Sequence, residues 1–154
     1  MADQLFEYFL VYATDWKNDE PETLDADELF RQILEDYAYS LESSGMKVQL
    51  QFLPVSCKIK VAIHLLQRAL DNIYSNLTKY ADPDTIIRID YRRESDYLIL
   101  IISNGTRPDQ SKRESTSIGL NTCRRIIEYH GGSFMALEEA CRFFVRVSLP
   151  LQGQ

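Results

Sequence analysis

Residues 65–83 read LLQRALDNIYSNLTKYADP, the most informative segment of the chain. Its apolar side chains recur every three or four positions, at Leu66, Leu70, Ile73 and Leu77. That spacing places them on one stripe and predicts a helix over residues 63–81 that packs against a sheet. Asp82-Pro83 ends the helix, because the ring of a proline disfavours helical geometry at the residue before it.

A polar set of side chains lies on a different face of the same helix. Asn72 and Asn76 are one turn apart, and Lys79 and Tyr80 follow on the next turn. Two amide oxygens at this spacing can bind a hard cation such as Mg²⁺. The Lys79 ammonium can neutralise phosphate charge, and the Tyr80 ring can lie against a base. The same residues also suit a solvated helix face, and the spacing alone leaves both interpretations open.

The segments around this helix complete a mixed pattern of helices and strands. Asp25, with Glu28 three residues later, predicts the start of another helix, which ends before Gly45. Alternating side chains predict strands at 46–52, 85–93, 97–103, 133–139 and 141–150, and a polar loop at 105–117 precedes a helix at 118–130. We therefore expect an α+β fold, a two-layer sandwich in which helices cover one face of a mixed sheet.

Composition excludes several classes of protein. The 154 residues carry a net charge of −6, which argues against nucleic acid as a partner. Neither a membrane-spanning run nor a signal-peptide pattern is present. The three cysteines, Cys57, Cys123 and Cys141, have no metal-ligand spacing, so we expect buried, reduced thiols and a cytoplasmic location.

Three ordered segments resemble boxes of one family. The segment from Asn72 to Tyr80 resembles the N box of sensor histidine kinases, which belong to the GHKL ATPases. IISNG (101–105) resembles their adenine-contacting box, and SIGLNTCRRIIEYHGG (117–132) resembles their last glycine-containing box. The resemblance implies a Bergerat ATP-binding fold over residues 21–154. It also implies that residues 1–20 are the end of a dimerisation helix and a linker.

The resemblance assigns roles to individual residues, with ATP and Mg²⁺ as the cofactors. Asn76 would hold Mg²⁺, Asn72 and Lys79 would lie near the phosphates, and Tyr80 would lie near the base. Asn104-Gly105 would contact adenine, and Asn104 stands where the family usually has an aspartate that accepts a hydrogen bond from the adenine amino group. An asparagine can accept the same hydrogen bond without the assistance of charge. A strand-ending turn would also explain these two residues.

The last box is expected to open a helix. Ile118, Gly119 and Leu120 would place the amides of that helix N-terminus near the phosphates, which favours anions. Gly119 would alternatively serve close helix packing alone.

The family pattern is broken at several glycines. Thr106 stands at a glycine position of the adenine box, and Ser115 and Ser117 stand at glycine positions of the last box. Larger side chains there can narrow a site that needs close backbone approach. The alternative function is therefore a degenerate domain with weak or no ATP binding that acts as a protein-interaction module. A serine kinase of the anti-sigma type is disfavoured by the apolar segment LFEYFLVYA (5–13).

The phosphoacceptor of the family is missing from this chain. Its two histidines, His64 and His130, lack the acidic neighbour that the family's acceptor has, so both are expected to be structural or surface residues. The resemblance thus implies the ATP-binding domain of a protein-histidine kinase that does not phosphorylate itself. Its partners would be the dimerisation and phosphoacceptor helices of a parent kinase, which can be membrane-anchored, and a response regulator.

Overall fold

The computed structural model describes residues 20–106 and 114–152, with residues 114–118 as backbone alone. Within these residues, three helices and seven strands follow one another. They are β1 (Glu22–Asp25), α1 (Ala26–Ser43), β2 (Lys47–Phe52), β3 (Lys58–Val61), α2 (Ile63–Tyr80), β4 (Ile86–Glu94), β5 (Tyr97–Gly105), α3 (Glu114–Tyr129), β6 (Ser133–Glu139) and β7 (Arg142–Pro150). The segment 5–13 and the domain boundary expected at residue 20 lie outside the described residues or at their edge.

The main sheet has five strands in the order β2-β4-β5-β7-β6. The pair β2-β4 is parallel, and the other three pairs are antiparallel. One face of this sheet supplies buried side chains to a core that it shares with all three helices. The expected α+β sandwich with a mixed sheet is therefore confirmed.

The apolar stripe of α2 is the centre of that core. Leu66, Leu70, Ile73 and Leu77 are all at most 3% exposed, as the helical spacing predicts. Apolar side chains of β4, β5 and β7 meet the helices from the sheet. None of the helices in residues 20–106 and 114–152 is long and apolar enough to cross a membrane.

Several expectations from the sequence are wrong in detail. The strands β1 and β3 were not expected; they pair in a small separate sheet, and each has only four residues, too few for a clear alternation. The helix α3 begins at Glu114 rather than at Ile118, so the loop before it is shorter than expected.

Cysteine burial also differs from the expectation. Cys123 is buried, Cys57 is partly exposed and Cys141 is exposed at the β6–β7 turn. Burial raises the pKa of the Cys123 thiol, which keeps it protonated and unreactive.

One carboxylate ties the start of α1 to two other elements. Asp25 caps α1 as expected, with its side chain accepting a 2.9 Å hydrogen bond from the Glu28 N–H. Asp27 accepts hydrogen bonds of 2.9 Å from the Val55 and Ser56 N–H groups and from the Tyr91 hydroxyl. Burial raises the pKa of Tyr91, and the Asp27 carboxylate raises it further. The β2–β3 loop and β4 are thereby joined to the first turn of α1.

The link between α3 and β6 depends on Gly132. A Cβ atom at this position would lie 1.9 Å from the carbonyl oxygen of Ser148 in β7.

His130, two residues before Gly132, joins the end of α3 to the start of α2, since its Nε2 accepts a 3.0 Å hydrogen bond from the Ala62 N–H. Its Nδ1 lies 2.8 Å from the Ile126 carbonyl and must donate to it. His130 is thus the structural residue that the sequence predicts.

We predict that Gly132→Ala destabilises the domain by about 3 kcal/mol or more, because backbone atoms must move to admit the methyl group. Urea denaturation measures this change. Gly45→Ala is the matched control: it has φ +97 and open space around it. Gly45→Ala should lower the free energy of unfolding by only about 1–2 kcal/mol, the cost of placing an alanine in the left-handed backbone region. Equal losses in the two variants would contradict the close contact with Ser148.

We predict that Asp27→Ala costs about 2–4 kcal/mol, because it leaves the buried Tyr91 hydroxyl and two loop amides without their acceptor. Tyr91→Phe removes one of the three bonds and should cost about 1 kcal/mol. Asp36→Ala, an exposed position on the same helix, is the control and should change the free energy of unfolding little. A loss for Asp27→Ala no larger than that of the control would refute the junction.

Candidate functional site

The end of α2 and the end of β5 meet at one joint. The Asp82 N–H donates a 2.8 Å hydrogen bond to the Gly105 carbonyl, and Ala81 pairs with Thr106 as an isolated bridge. Asp82 also begins a turn, since its carbonyl accepts hydrogen bonds from the Thr85 N–H and Oγ1 at 3.0 and 2.8 Å. This joint brings the box on α2 next to the box at the end of β5.

The polar residues of α2 do not all face the solvent. Asn76 is 3% exposed and Tyr80 is 9% exposed, whereas Lys79 is exposed and Asn72 is partly buried. The interpretation as a solvated face therefore holds for Lys79 but not for Asn76 and Tyr80. Asn76 makes a polar interaction inside the protein.

Asn104 is the most unusual polar residue of the joint. It is 1% exposed and lies within β5, not in a strand-ending turn. Its Nδ2 donates a 2.8 Å hydrogen bond to the Gly105 carbonyl. Its Oδ1 is buried and has no hydrogen-bond partner among the described residues. A buried acceptor without a donor costs about 1–3 kcal/mol, so a donor from outside the chain would be favourable here.

Gly105 and Thr106 complete the end of β5. A Cβ on Gly105 would lie 2.7 Å from the Thr85 side chain, so the site requires glycine for space. Thr106 is 5% exposed, and its hydroxyl donates a 3.4 Å hydrogen bond to the Glu138 carboxylate. Its N–H donates to the Cys141 carbonyl at 2.9 Å. The threonine at this glycine position is thus enclosed and bonded by the protein.

The helices α2 and α3 are joined at the last box. Asn72 Nδ2 donates a 3.0 Å hydrogen bond to the Gly119 carbonyl. A Cβ on Gly119 would lie 3.7 Å from Asn72, which is ordinary contact, so packing alone does not require this glycine. Because α3 begins at Glu114, its free N-terminal amides belong to residues 114–117. The expectation that Ile118, Gly119 and Leu120 form the helix N-terminus is therefore wrong; they lie inside the helix, with Leu120 against the core.

A cleft of about 430 Å³ opens beside Asn72. Arg68 and His64 lie one and two turns before Asn72 on the same stripe of α2 and line this cleft with Gln67 and Asp71. The sequence reasoning assigned no role to Arg68, although its spacing of four residues from Asn72 was visible. The sequence could not predict that Thr85 packs against Gly105 or that the Glu138 carboxylate bonds to Thr106, because each contact joins segments that are distant in the chain.

The donor chemistry of the site is that of neutral amides. Within the part of the chain that the structure describes, no three His, Cys, Asp or Glu side chains are grouped to hold a metal ion. Asn72 and Asn76 offer amide oxygens, which suit a hard cation that keeps most of its ligands as water and phosphate oxygen. These residues fit Mg²⁺ bound together with a nucleotide better than a metal held by protein alone.

The chain was compared with known proteins by sequence and by fold. No protein-family model matches the chain. Sensor histidine kinase YrkQ of Bacillus subtilis is 26% identical over 148 residues, which cover 94% of this chain and 33% of YrkQ. The chain thus spans about a third of the length of that relative.

Solved structures show the same fold. The nucleotide-free catalytic domain of histidine kinase ThkA has a TM-score of 0.67 at 16% identity, with 85% of this chain and 95% of that chain covered. Acinetobacter baumannii histidine kinase AdeS has a TM-score of 0.70 at 15% identity, with 99% and 77% covered. The chain is thus similar in sequence to part of a curated sensor histidine kinase and has the fold of histidine kinase catalytic domains.

Proposed function

We propose that this domain binds Mg-ATP and positions it for transfer of the γ-phosphoryl group to a histidine outside the chain, as part of a two-component sensor kinase. The observation that carries the proposal is the buried Oδ1 of Asn104, which has no donor among the described residues. The exocyclic amino group of adenine is a donor of the required kind. A bound base would therefore satisfy an acceptor that the protein leaves unpaired.

The remaining site residues fit the rest of the nucleotide. Tyr80, of which 9% is exposed, would border the base, and the Gly105 backbone would lie beside it, with Thr85 filling the space of a Cβ. Asn76 would hold Mg²⁺, with Asn72 and the exposed Lys79 near the phosphates. The first amides of α3, at residues 114–117, would lie toward the phosphates in place of those at Ile118–Leu120.

The chemistry would consist mainly of positioning and charge stabilisation. Bound Mg²⁺ would neutralise charge on the phosphates, while the amides and Lys79 orient them. The phosphoacceptor would come from the parent kinase, because both ring nitrogens of His130 are engaged by Ala62 and Ile126. His64 lies in the first turn of α2, the helix that carries Asn72 and Asn76.

The proposal extends to the parent protein. Residues 1–20 would be the end of a dimerisation helix with its linker, and residues 21–154 the ATP-binding domain. The partners would be the dimerisation and phosphoacceptor helices and a response regulator. The domain would lie in the cytoplasm, in a parent kinase that can be anchored in the cell membrane.

A second candidate function is a domain that keeps the fold without binding ATP and acts as a protein-interaction module. The enclosed Thr106 favours it, because a side chain fills a position where the family has only a hydrogen atom. Ser115 and Ser117 likewise put side chains at glycine positions of the last box. Nucleotide binding separates the two functions.

We predict that the domain binds a non-hydrolysable ATP analogue and that Mg²⁺ increases the affinity. Asn76→Ala should remove most of the gain from Mg²⁺, a loss of about tenfold or about 1.4 kcal/mol, because it deletes the metal's amide ligand. Isothermal titration with and without Mg²⁺ measures both affinities in each variant. The ratio of the two affinities within one variant is insensitive to a general loss of stability.

Thr78→Ala is the control on the same helix, two residues from Asn76 and exposed. It should keep the full effect of Mg²⁺. If the unsubstituted domain fails to bind at millimolar analogue, the interaction-module function replaces the kinase proposal. If Asn76→Ala keeps the full gain from Mg²⁺, the metal assignment is wrong.

A further inference from the structure

The Gly105 carbonyl determines which way the Asn104 side chain can point. This oxygen accepts two hydrogen bonds of 2.8 Å, one from the Asp82 N–H and one from Asn104 Nδ2. Only a donor can lie against it. We infer that this carbonyl selects an amide over a carboxylate at position 104 and fixes the amide oxygen as the acceptor for a 6-amino purine.

The carbonyl cannot readily turn away from Asn104. The Asp82 N–H holds it from the end of α2, and Asp82 is itself fixed by the turn that Thr85 closes. The Thr85 side chain fills the space where a Cβ of residue 105 would lie. The Asp82–Thr85 turn is therefore a positioning element for Asn104, although it need not touch a ligand.

The orientation of the amide has a direct consequence for the base. With Nδ2 on Gly105, Oδ1 is presented on the other side, where it has no partner among the described residues. A flipped amide would place oxygen against oxygen in a side chain that is 1% exposed. The site should thus accept the amino group of adenine and oppose the 6-oxo group of guanine or hypoxanthine. This part of the inference rests on the proposed nucleotide binding.

A carboxylate at position 104 would be poorly tolerated in this chain. One of its oxygens would face the Gly105 carbonyl at the distance that now holds an N–H···O bond, which is repulsive in a buried place. Only a protonated carboxyl could donate there. Asp82 lies beside position 104. Glu138 lies in the same cross-strand row as Asn104, and Phe143 of β7 lies between these two residues. Arg142 is directed to Ser103 on the other face of the sheet.

The test compares Asn104→Asp with Asn121→Asp, the same chemical change at a partly exposed position of α3. We expect Asn104→Asp to lower the midpoint of thermal unfolding at pH 7 by several degrees more than the control. The deficit should shrink as pH falls to about 4, where a carboxyl gains its proton. This measurement needs no nucleotide.

The affinities for two nucleotide analogues complete the test. The unsubstituted domain should bind an ATP analogue at least about tenfold more tightly than the matching inosine analogue, and Asn104→Asp should bind the ATP analogue no more tightly than the unsubstituted domain. A stable Asn104→Asp variant with tighter ATP binding would overturn the role of the carbonyl. Equal affinity for the two analogues would overturn base selection.

Failure of the proposed function has a different signature. If neither analogue binds while Asn104→Asp is destabilised in the expected pH-dependent way, the selection of an amide by Gly105 stands. Nucleotide binding, and the base selection that depends on it, would then be wrong.

Discussion

The hydrogen bond from the Asp82 N–H to the Gly105 carbonyl holds the end of α2 against the end of β5. The apolar stripe of α2 packs that helix against the sheet. The joint adds a hydrogen bond at the C-terminal end of the helix and pairs Ala81 with Thr106. At the other end of α2, His130 and Ala62 join the helix to α3. The candidate site thus lies between two fixed ends of one helix.

The departures from the family pattern belong to a connected set of contacts. The Asn104 amide bonds to Gly105, Gly105 is packed by Thr85, and Thr106 is bonded to Glu138 and Cys141. An aspartate at position 104 would conflict with this arrangement at the Gly105 carbonyl. The asparagine therefore fits the hydrogen bonding of its surroundings, and Thr106 is held by contacts with β6 and the β6–β7 turn.

Much of the fold could be predicted from the sequence, because its long elements have clear periods. The stripe of α2 and the alternation of β7 each extend over enough residues to show a period of 3.6 or 2. The strands β1 and β3 have four residues each and could not be recognised. The site was predicted only in outline: spacing showed Asn72 and Asn76, but an unpaired Oδ1 or a hydrogen bond to Gly119 arises from contacts between segments far apart in the chain.

The most direct test of the account is a crystal structure of the domain with Mg²⁺ and a non-hydrolysable ATP analogue. We predict that the adenine amino nitrogen lies about 3 Å from Asn104 Oδ1, with Nδ2 still on the Gly105 carbonyl. The cation should be within reach of the Asn76 amide oxygen. A structure with the base elsewhere on the surface, or with no nucleotide at millimolar concentration, would contradict the assignment of this joint as the ATP site.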